Sequence, residues 1–266
     1  MKETIAQIMA AKRIVVKVGT STLTRENGEV NLRLLSCLAR VLTDVRGTGK
    51  EVVLVTSGAM GIGVGKLGLP ERPRDTPGRQ AAAAIGQCVL MTLYDRLFWE
   101  YGQLVAQLLL TRRDTETDES RRHLVNSFER LLALGVVPIV NENDSVAVEE
   151  LENIFGDNDN LSAIVARLIG ADLLLLMTDT DGLYDANPRD NPAAQVIDFV
   201  PAVTDEILAL ADGKGTARGT GGMATKLRAA QFATAAGIPT VILSGSAPER
   251  IYDLLAGKQS GTIFGV

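Results

Sequence analysis

Lys17 lies inside the run Ile14-Val15-Val16-Lys17-Val18-Gly19, an ammonium in the middle of a strand-length apolar segment. Buried there without a partner it would be strongly destabilising, so it either snorkels from a sheet edge or meets a carboxylate or a bound anion. A second lysine, Lys226, closes the string GTGGMATK over 219–226, a glycine loop running into a predicted helix. The unpaired backbone N–H groups and the positive dipole end of such a helix hold phosphate well. The plainer alternative is a surface loop followed by an exposed helical lysine. Asp144, Asp157, Asp159 and Asp179 each follow a predicted strand or begin a helix. From those positions a carboxylate can hold an ammonium, orient lysines, bind Mg²⁺ through its waters, or simply cap a helix.

Other chemistries lose support. No GxxxxGK[ST] string occurs, which argues against a P-loop. A GxGxxG string at Gly63, Gly65 and Gly68 lies several residues past its strand and runs into Leu69 and Pro70 instead of opening a helix, so a dinucleotide site is not expected. His123 is the one histidine of the chain and has no Cys or His companions, which suits a surface or capping role.

The elements that must position these residues alternate between strand-length apolar runs and helical periods. Strands are predicted over 14–18, 52–56, 104–110, 136–140, 173–177, 240–243 and 262–264, with an edge strand near Val196. Between the first two, Leu34, Leu35, Leu38, Val41, Leu42 and Val45 recur at helical spacing. Further helices are expected over 79–100, from the polar stretch 112–122 through 134, from 156–160 to 169, near Ile207, over 223–236 and near Tyr252; Pro70, Pro73 and Pro77 mark a loop, and 213–222 a glycine-rich one. This is the pattern of βαβ units on a mostly parallel sheet, an α/β fold. In open sheets of that kind ligands bind beyond the carboxyl ends of the strands. Small, hydroxyl and carboxamide residues gather there: Gly19, Thr20, Ser21 and Thr22; Ser57, Gly58 and Ala59; Thr111; Asn141, Glu142, Asn143 and Asp144; Thr178 and Asp179; Ser244 and Gly245. A shared pocket for an anionic ligand is the reading they support.

The 266 residues fit one large α/β domain, and 46% apolar with 22% charged residues is ordinary globular composition. A net charge of -5 with mixed signs offers no footprint for nucleic acid or anionic lipid. Cys37 and Cys88 fall on predicted apolar helix faces and read as reduced core thiols. No leader-like or membrane-spanning stretch is evident, so the cytoplasm is the expected compartment.

The segments VVKVGTSTLT, VTSGAMGIG, QAAAAIGQCVLM, QLLLTRRD, PIVNENDSV, GDNDNLSA, MTDTDGLYDANPR and GTGGMATKLRAA, in this order from Val15 to Ala230, resemble the glutamate 5-kinase branch of the amino-acid kinase family. The resemblance implies a three-layer αβα sandwich on a mostly parallel sheet. It also implies phosphorylation of the γ-carboxylate of L-glutamate by ATP with Mg²⁺, the first step of proline biosynthesis. Carried over residue by residue, Lys17 and Lys226 would stabilise the transferring phosphoryl group and Asp159 would position both lysines. Ser57, Asp144 and Asn158 match glutamate-binding positions, with Asn141 beside them. Lys17, Thr178, Asp179 and the loop Thr220, Gly221, Gly222, Met223, Ala224, Thr225 and Lys226 match ATP-binding positions. Proline as a feedback inhibitor and a homo-oligomeric assembly are expectations of the family. Many members continue into a C-terminal PUA domain of an RNA-binding type, whereas this chain stops at Val266; a single kinase domain over 1–266 and no RNA partner are therefore expected. Two alternatives stay open at this point. One is a sibling kinase for N-acetylglutamate or aspartate, and the other is a non-catalytic amino-acid sensor.

Overall fold

A computed structural model describes residues 1–25, 29–146, 158–188, 190–211 and 222–266, with only the backbone of Arg112. The strands are β1 (Arg13–Val18), β2 (Glu51–Val55), β3 (Val105–Leu110), β4 (Val137–Glu142), β5 (Leu173–Thr178), β6 (Phe199–Val200), β7 (Thr240–Ser244) and β8 (Thr262–Phe264). They form one sheet in the order β3-β4-β2-β1-β5-β7-β8-β6. All neighbours run parallel except β7 and β8. The central strands are largely apolar, with Lys17 of β1 a buried exception, because helices cover both faces, and β5 is buried along its whole length.

The helices among the described residues are α1 (Lys2–Ala10), α2 (Thr20–Leu23), α3 (Leu32–Gly47), α4 (Ala59–Leu67), α5 (Thr76–Trp99), α6 (Arg112–Glu116), α7 (Asp118–Ala133), α8 (Asn158–Leu168), α9 (Asp205–Ala209), α10 (Met223–Thr234) and α11 (Arg250–Leu255). The period of two along each strand divides the core in half. Ile14, Val16 and Val18 of β1 pack in a layer with Leu38 and Leu42 of α3, Leu90 and Tyr94 of α5, and Ile251 of α11. Val15 packs in the opposite layer with Phe128 of α7, Leu161 and Val165 of α8, and Leu227 and Ala230 of α10. Lys17 shares the parity of Val15 and so faces the α8 and α10 side. The N-terminal turns of those two helices carry Asp159 and Lys226.

Several elements depart from expectation. Helix α1 precedes the first strand and tucks Thr4 and Ile8 inward at i, i+4 spacing. The segment predicted as one helix through 134 is two, because Thr117 is extended (φ -92°, ψ 145°) and its side chain caps α7 by accepting from the Ser120 N–H. Val196 makes only an isolated bridge to Tyr184, and the edge strand is the two-residue β6 that follows. Cys88 is exposed and Cys37 half-buried, so neither is a core thiol. The buried face of α5 runs through Ala82, Ala83, Gly86, Gln87 and Leu90, and the next position after Gln87 is turned outward by a helical step.

The stretch after Ser57, to which the periodicity assigns no element, folds as α4. Its glycines serve helix packing: a Cβ on Gly63 would lie 1.8 Å from the Ala82 carbonyl oxygen, and one on Gly86 of α5 would lie 1.7 Å from that of Ala59. Gly68 ends the helix in the left-handed conformation (φ 65°). Gly86→Ala would gain up to about 1 kcal/mol of helix propensity, but backbone cannot yield to a Cβ at that distance. The expected net effect is a loss of about 1–3 kcal/mol, read as a lower urea midpoint; an unchanged midpoint would show that α4 re-seats without strain.

Candidate active site

Beyond the carboxyl ends of the central strands, Asp159 lies in the first turn of α8 with its side chain fully buried. Its Oδ1 is 2.6 Å from the Lys17 Nζ and its Oδ2 is 3.0 Å from the Lys226 Nζ. The Thr225 Oγ1 stands 2.9 Å from the same Oδ2 and 2.8 Å from the Gly222 carbonyl, so its single proton serves one of the two at a time. Both ammonium groups are nearly buried. Burial pushes the Asp159 carboxyl up, but the charges and hydrogen bonds of Lys17 and Lys226 outweigh it and hold the pKa at about 2. One carboxylate between two lysines leaves a surplus positive charge in a dry place, and an incoming anion relieves it. A Cβ on Gly19 would lie 3.5 Å from the Lys17 Nζ, so the glycine leaves room for a ligand beside that ammonium.

Lys226 is reached through the start of α10, where Gly222 is the N-cap and Met223, Ala224 and Thr225 form the first turn with unpaired N–H groups. Thr220 and Gly221, like Asp157, lie outside the described residues. At the end of β5 the Thr178 hydroxyl donates to the Asp179 carboxylate at 3.1 Å, and the Gly245 N–H donates to the Thr178 carbonyl at 2.6 Å. At the end of β2 the Ser57 hydroxyl donates to the Val18 carbonyl and accepts from Thr20, both at 3.2 Å.

The neighbour of Asp159, Asn158, joins this cluster to a second one. Its Nδ2 donates to the Thr56 carbonyl and, at 2.8 Å, to the Asn141 Oδ1. The Asn141 Nδ2 in turn donates to the Gln87 Oε1 at 2.7 Å. Next to Gln87 opens a cavity of about 440 Å³, lined also by Glu142, Asn143, Asp144 and Ser145. Burial pushes the Asp144 carboxyl up, with the charge of Arg79 pulling the other way. An ammonium arriving in the cavity would favour its charged form.

The predicted residues therefore fall into a cluster of Lys17, Asp159 and Lys226 and a hydrogen-bonded pair of Asn158 and Asn141, with Asp144 in the wall of the cavity that Gln87 also lines. Ser57, Thr178 and Asp179 stand at neighbouring strand ends. His123 is exposed, 3.9 Å from Glu119 on its own helix, and takes no part. Sequence reasoning missed the hydroxyl contact of Thr225 with Asp159 and missed Gln87 altogether. The available signal was a glutamine on the same helical face as Ala83, Leu90 and Tyr94, where a polar group needs a reason. Both N–H bonds of Asn158 are used inside the protein, which leaves its Oδ1, an acceptor, to face a ligand.

Residues 12–244 match the amino acid kinase family. The chain belongs to that family. Among relatives, it is 51% identical to the glutamate 5-kinase of Clostridium perfringens over 96% of this chain and 95% of that protein. It is 52% identical to the glutamate 5-kinase of Listeria welshimeri over 96% and 93%. In fold, this amino acid kinase is similar to the isopentenyl phosphate kinase of T. acidophilum, with a TM-score of 0.65 at 18% identity over 95% of this chain and 99% of that one. The UMP kinase of Bacillus anthracis superimposes with a TM-score of 0.63 at 14% identity, over 96% of each chain. The αβα architecture of the amino acid kinases thus spans different phosphoryl acceptors, and the acceptor must be argued from the site. Among the described residues no helix is long and apolar enough to cross a membrane.

Proposed function

We propose that the chain transfers the γ-phosphoryl group of ATP to the γ-carboxylate of L-glutamate, giving L-glutamyl 5-phosphate, the first step of proline biosynthesis. The observation that carries this reading is the buried Asp159 carboxylate clamped between Lys17 and Lys226, joined through Asn158, Asn141 and Gln87 to the wall of a cavity that Asp144 also lines. Kinship with proteins named glutamate 5-kinase over nearly their whole length supports the choice of acceptor.

The acceptor carboxylate is already an anion, so the reaction needs no strong general base, and catalysis becomes alignment and charge neutralisation. Lys17 and Lys226 meet the negative charge on the transferring group, and Asp159 positions both ammonium groups. ATP is held by Lys17, Thr178, Asp179 and the segment from Thr220 through Gly221, Gly222, Met223, Ala224 and Thr225 to Lys226. Mg²⁺ keeps much of its water and binds chiefly to nucleotide phosphates, and Asp179, an exposed carboxylate at the end of β5, fits an outer contact to such a hydrated ion. When bound, the ion supplies further charge neutralisation on the phosphates. Asp144 pairs with the ammonium of glutamate, Asn158 offers its Oδ1 with Asn141 beside it, and Ser57 contributes a hydroxyl. The same reading takes residues 1–266 as one kinase domain working in the cytoplasm as a homo-oligomer, with proline as its feedback inhibitor.

Incubation with ATP, Mg²⁺, glutamate and hydroxylamine is expected to yield the hydroxamate. Product formed only from N-acetylglutamate or aspartate would overturn the acceptor, because an acetylated amine cannot pair with Asp144. Asp144→Ala should raise the glutamate KM by roughly tenfold or more while kcat falls less. A loss confined to kcat would contradict the role given to Asp144.

A further inference from the structure

Three buried amides have their orientations set by the backbone. The Thr56 carbonyl can only accept, so the Asn158 atom against it is Nδ2. The Glu142 N–H can only donate, and it meets the Asn141 oxygen at 2.9 Å, the same atom that receives the Asn158 Nδ2 at 2.8 Å. The remaining end of Asn141 is therefore Nδ2, and the Gln87 atom 2.7 Å from it is Oε1. A carbonyl at one end of the chain and an amide N–H in its middle settle all three side chains, and no other choice of flips satisfies both.

What is left over is the Gln87 Nε2, a buried donor without a hydrogen-bond partner. Gln87 is 8% exposed and lines the same cavity as Asp144. A buried donor left unpaired carries the full desolvation penalty of the group, which points to an acceptor absent from the protein itself. In an α-amino acid the ammonium and the α-carboxylate share one carbon, so a site that holds the ammonium on Asp144 needs a donor close by. Glu142 and Asp144 both line this cavity and repel a carboxylate, while Asn158 has no N–H to spare. We propose that Gln87 reads the α-carboxylate of the acceptor through its Nε2, an inference that rests on the acceptor being glutamate. The glutamine then has two tasks: its Oε1 holds Asn141 in place, and its N–H groups select an acid over a neutral headgroup.

The test compares glutamate with isoglutamine, whose α-carboxylate is a carboxamide and whose γ-carboxylate is intact, by hydroxamate formation with the full chain. The parent enzyme is expected to prefer glutamate by roughly tenfold or more in kcat/KM. Gln87→Glu keeps an acceptor for Asn141 and replaces the donor with an anion. In that variant the preference should collapse to about twofold or invert, with the loss of glutamate turnover falling on KM. A variant that retains the parent's preference overturns the proposal, and so does a parent that does not distinguish the two substrates. Should Gln87→Glu fail to fold, Gln87→Met has similar length without charge; the same collapse is expected of it, and a retained preference again overturns the assignment. A parent that phosphorylates neither substrate instead refutes the acceptor assignment beneath it.

Discussion

Lys226→Ala is expected to lower kcat by on the order of 10² or more while the fold survives. The ammonium lies 3.0 Å from the Asp159 Oδ2, nearly buried at the start of α10, where unpaired backbone N–H groups also face outward. In so dry a place a fixed charge aimed at the developing phosphoryl negative charge is worth far more than in water. Removal of the charge also relieves the two-lysine surplus around Asp159, so the stability change should be small beside the catalytic one. Steady-state kinetics at saturating ATP and glutamate, with a urea melt of the same preparation, separate the two. An unchanged kcat would remove Lys226 from the chemistry; a large fall in the melting midpoint would make it a structural residue instead.

Asp159→Asn should have the opposite balance, with a stability loss of about 3–5 kcal/mol that accompanies the loss of activity. The carboxylate is the shared partner of two buried ammonium groups, and an amide in its place leaves both without a counter-charge. The pH dependence provides a second readout. The folded pKa of Asp159 is about 2, below its ordinary value of 3.8, so its contribution to stability is complete above that ordinary value and is lost as pH falls towards 2. Asp144, raised by burial, acts with the other sign: its contribution is full at low pH and declines as pH rises through its elevated folded value. Urea midpoints measured from pH 2 to pH 6 should therefore show an acid-side decline in the parent that is reduced in Asp159→Asn. A variant with the parent's midpoint and the parent's acid slope would show that the lysines find compensation elsewhere.

Much of the molecule was legible because it follows from local rules. The six central strands stand out as apolar runs, since a parallel sheet buried on both faces tolerates little else. The polar residues at the ends of those runs mark the expected ligand side of the sheet, and Ser57, Asn141 and Thr178 do stand at strand ends. Failures came where local signals were weak or two-sided. Helix α4 was hidden behind glycines that usually signal a loop, because their purpose is the close approach of α5 and lies outside the segment itself. Cys88 was misplaced because α5 is rich in alanine, so its buried and exposed faces hardly differ in polarity.

By itself the sequence determined the α/β alternation, the strand-end positions of the polar residues and that Lys17 must either snorkel from a sheet edge or find an anionic partner, all consequences of periodicity and of the cost of burying charge. That it finds a partner, and which one, was decided only by tertiary structure. Asp159 is 67 residues from Lys226 along the chain, and they meet because β1 stands between β2 and β5 with α8 and α10 on one face. The order of strands in a sheet depends on how whole layers pack, and no local period encodes it. The amide chain from Thr56 to Gln87 is of the same kind. Residue type shows that an asparagine can donate and accept, but only its packed neighbours show which of its bonds are already used, and so what remains for a substrate.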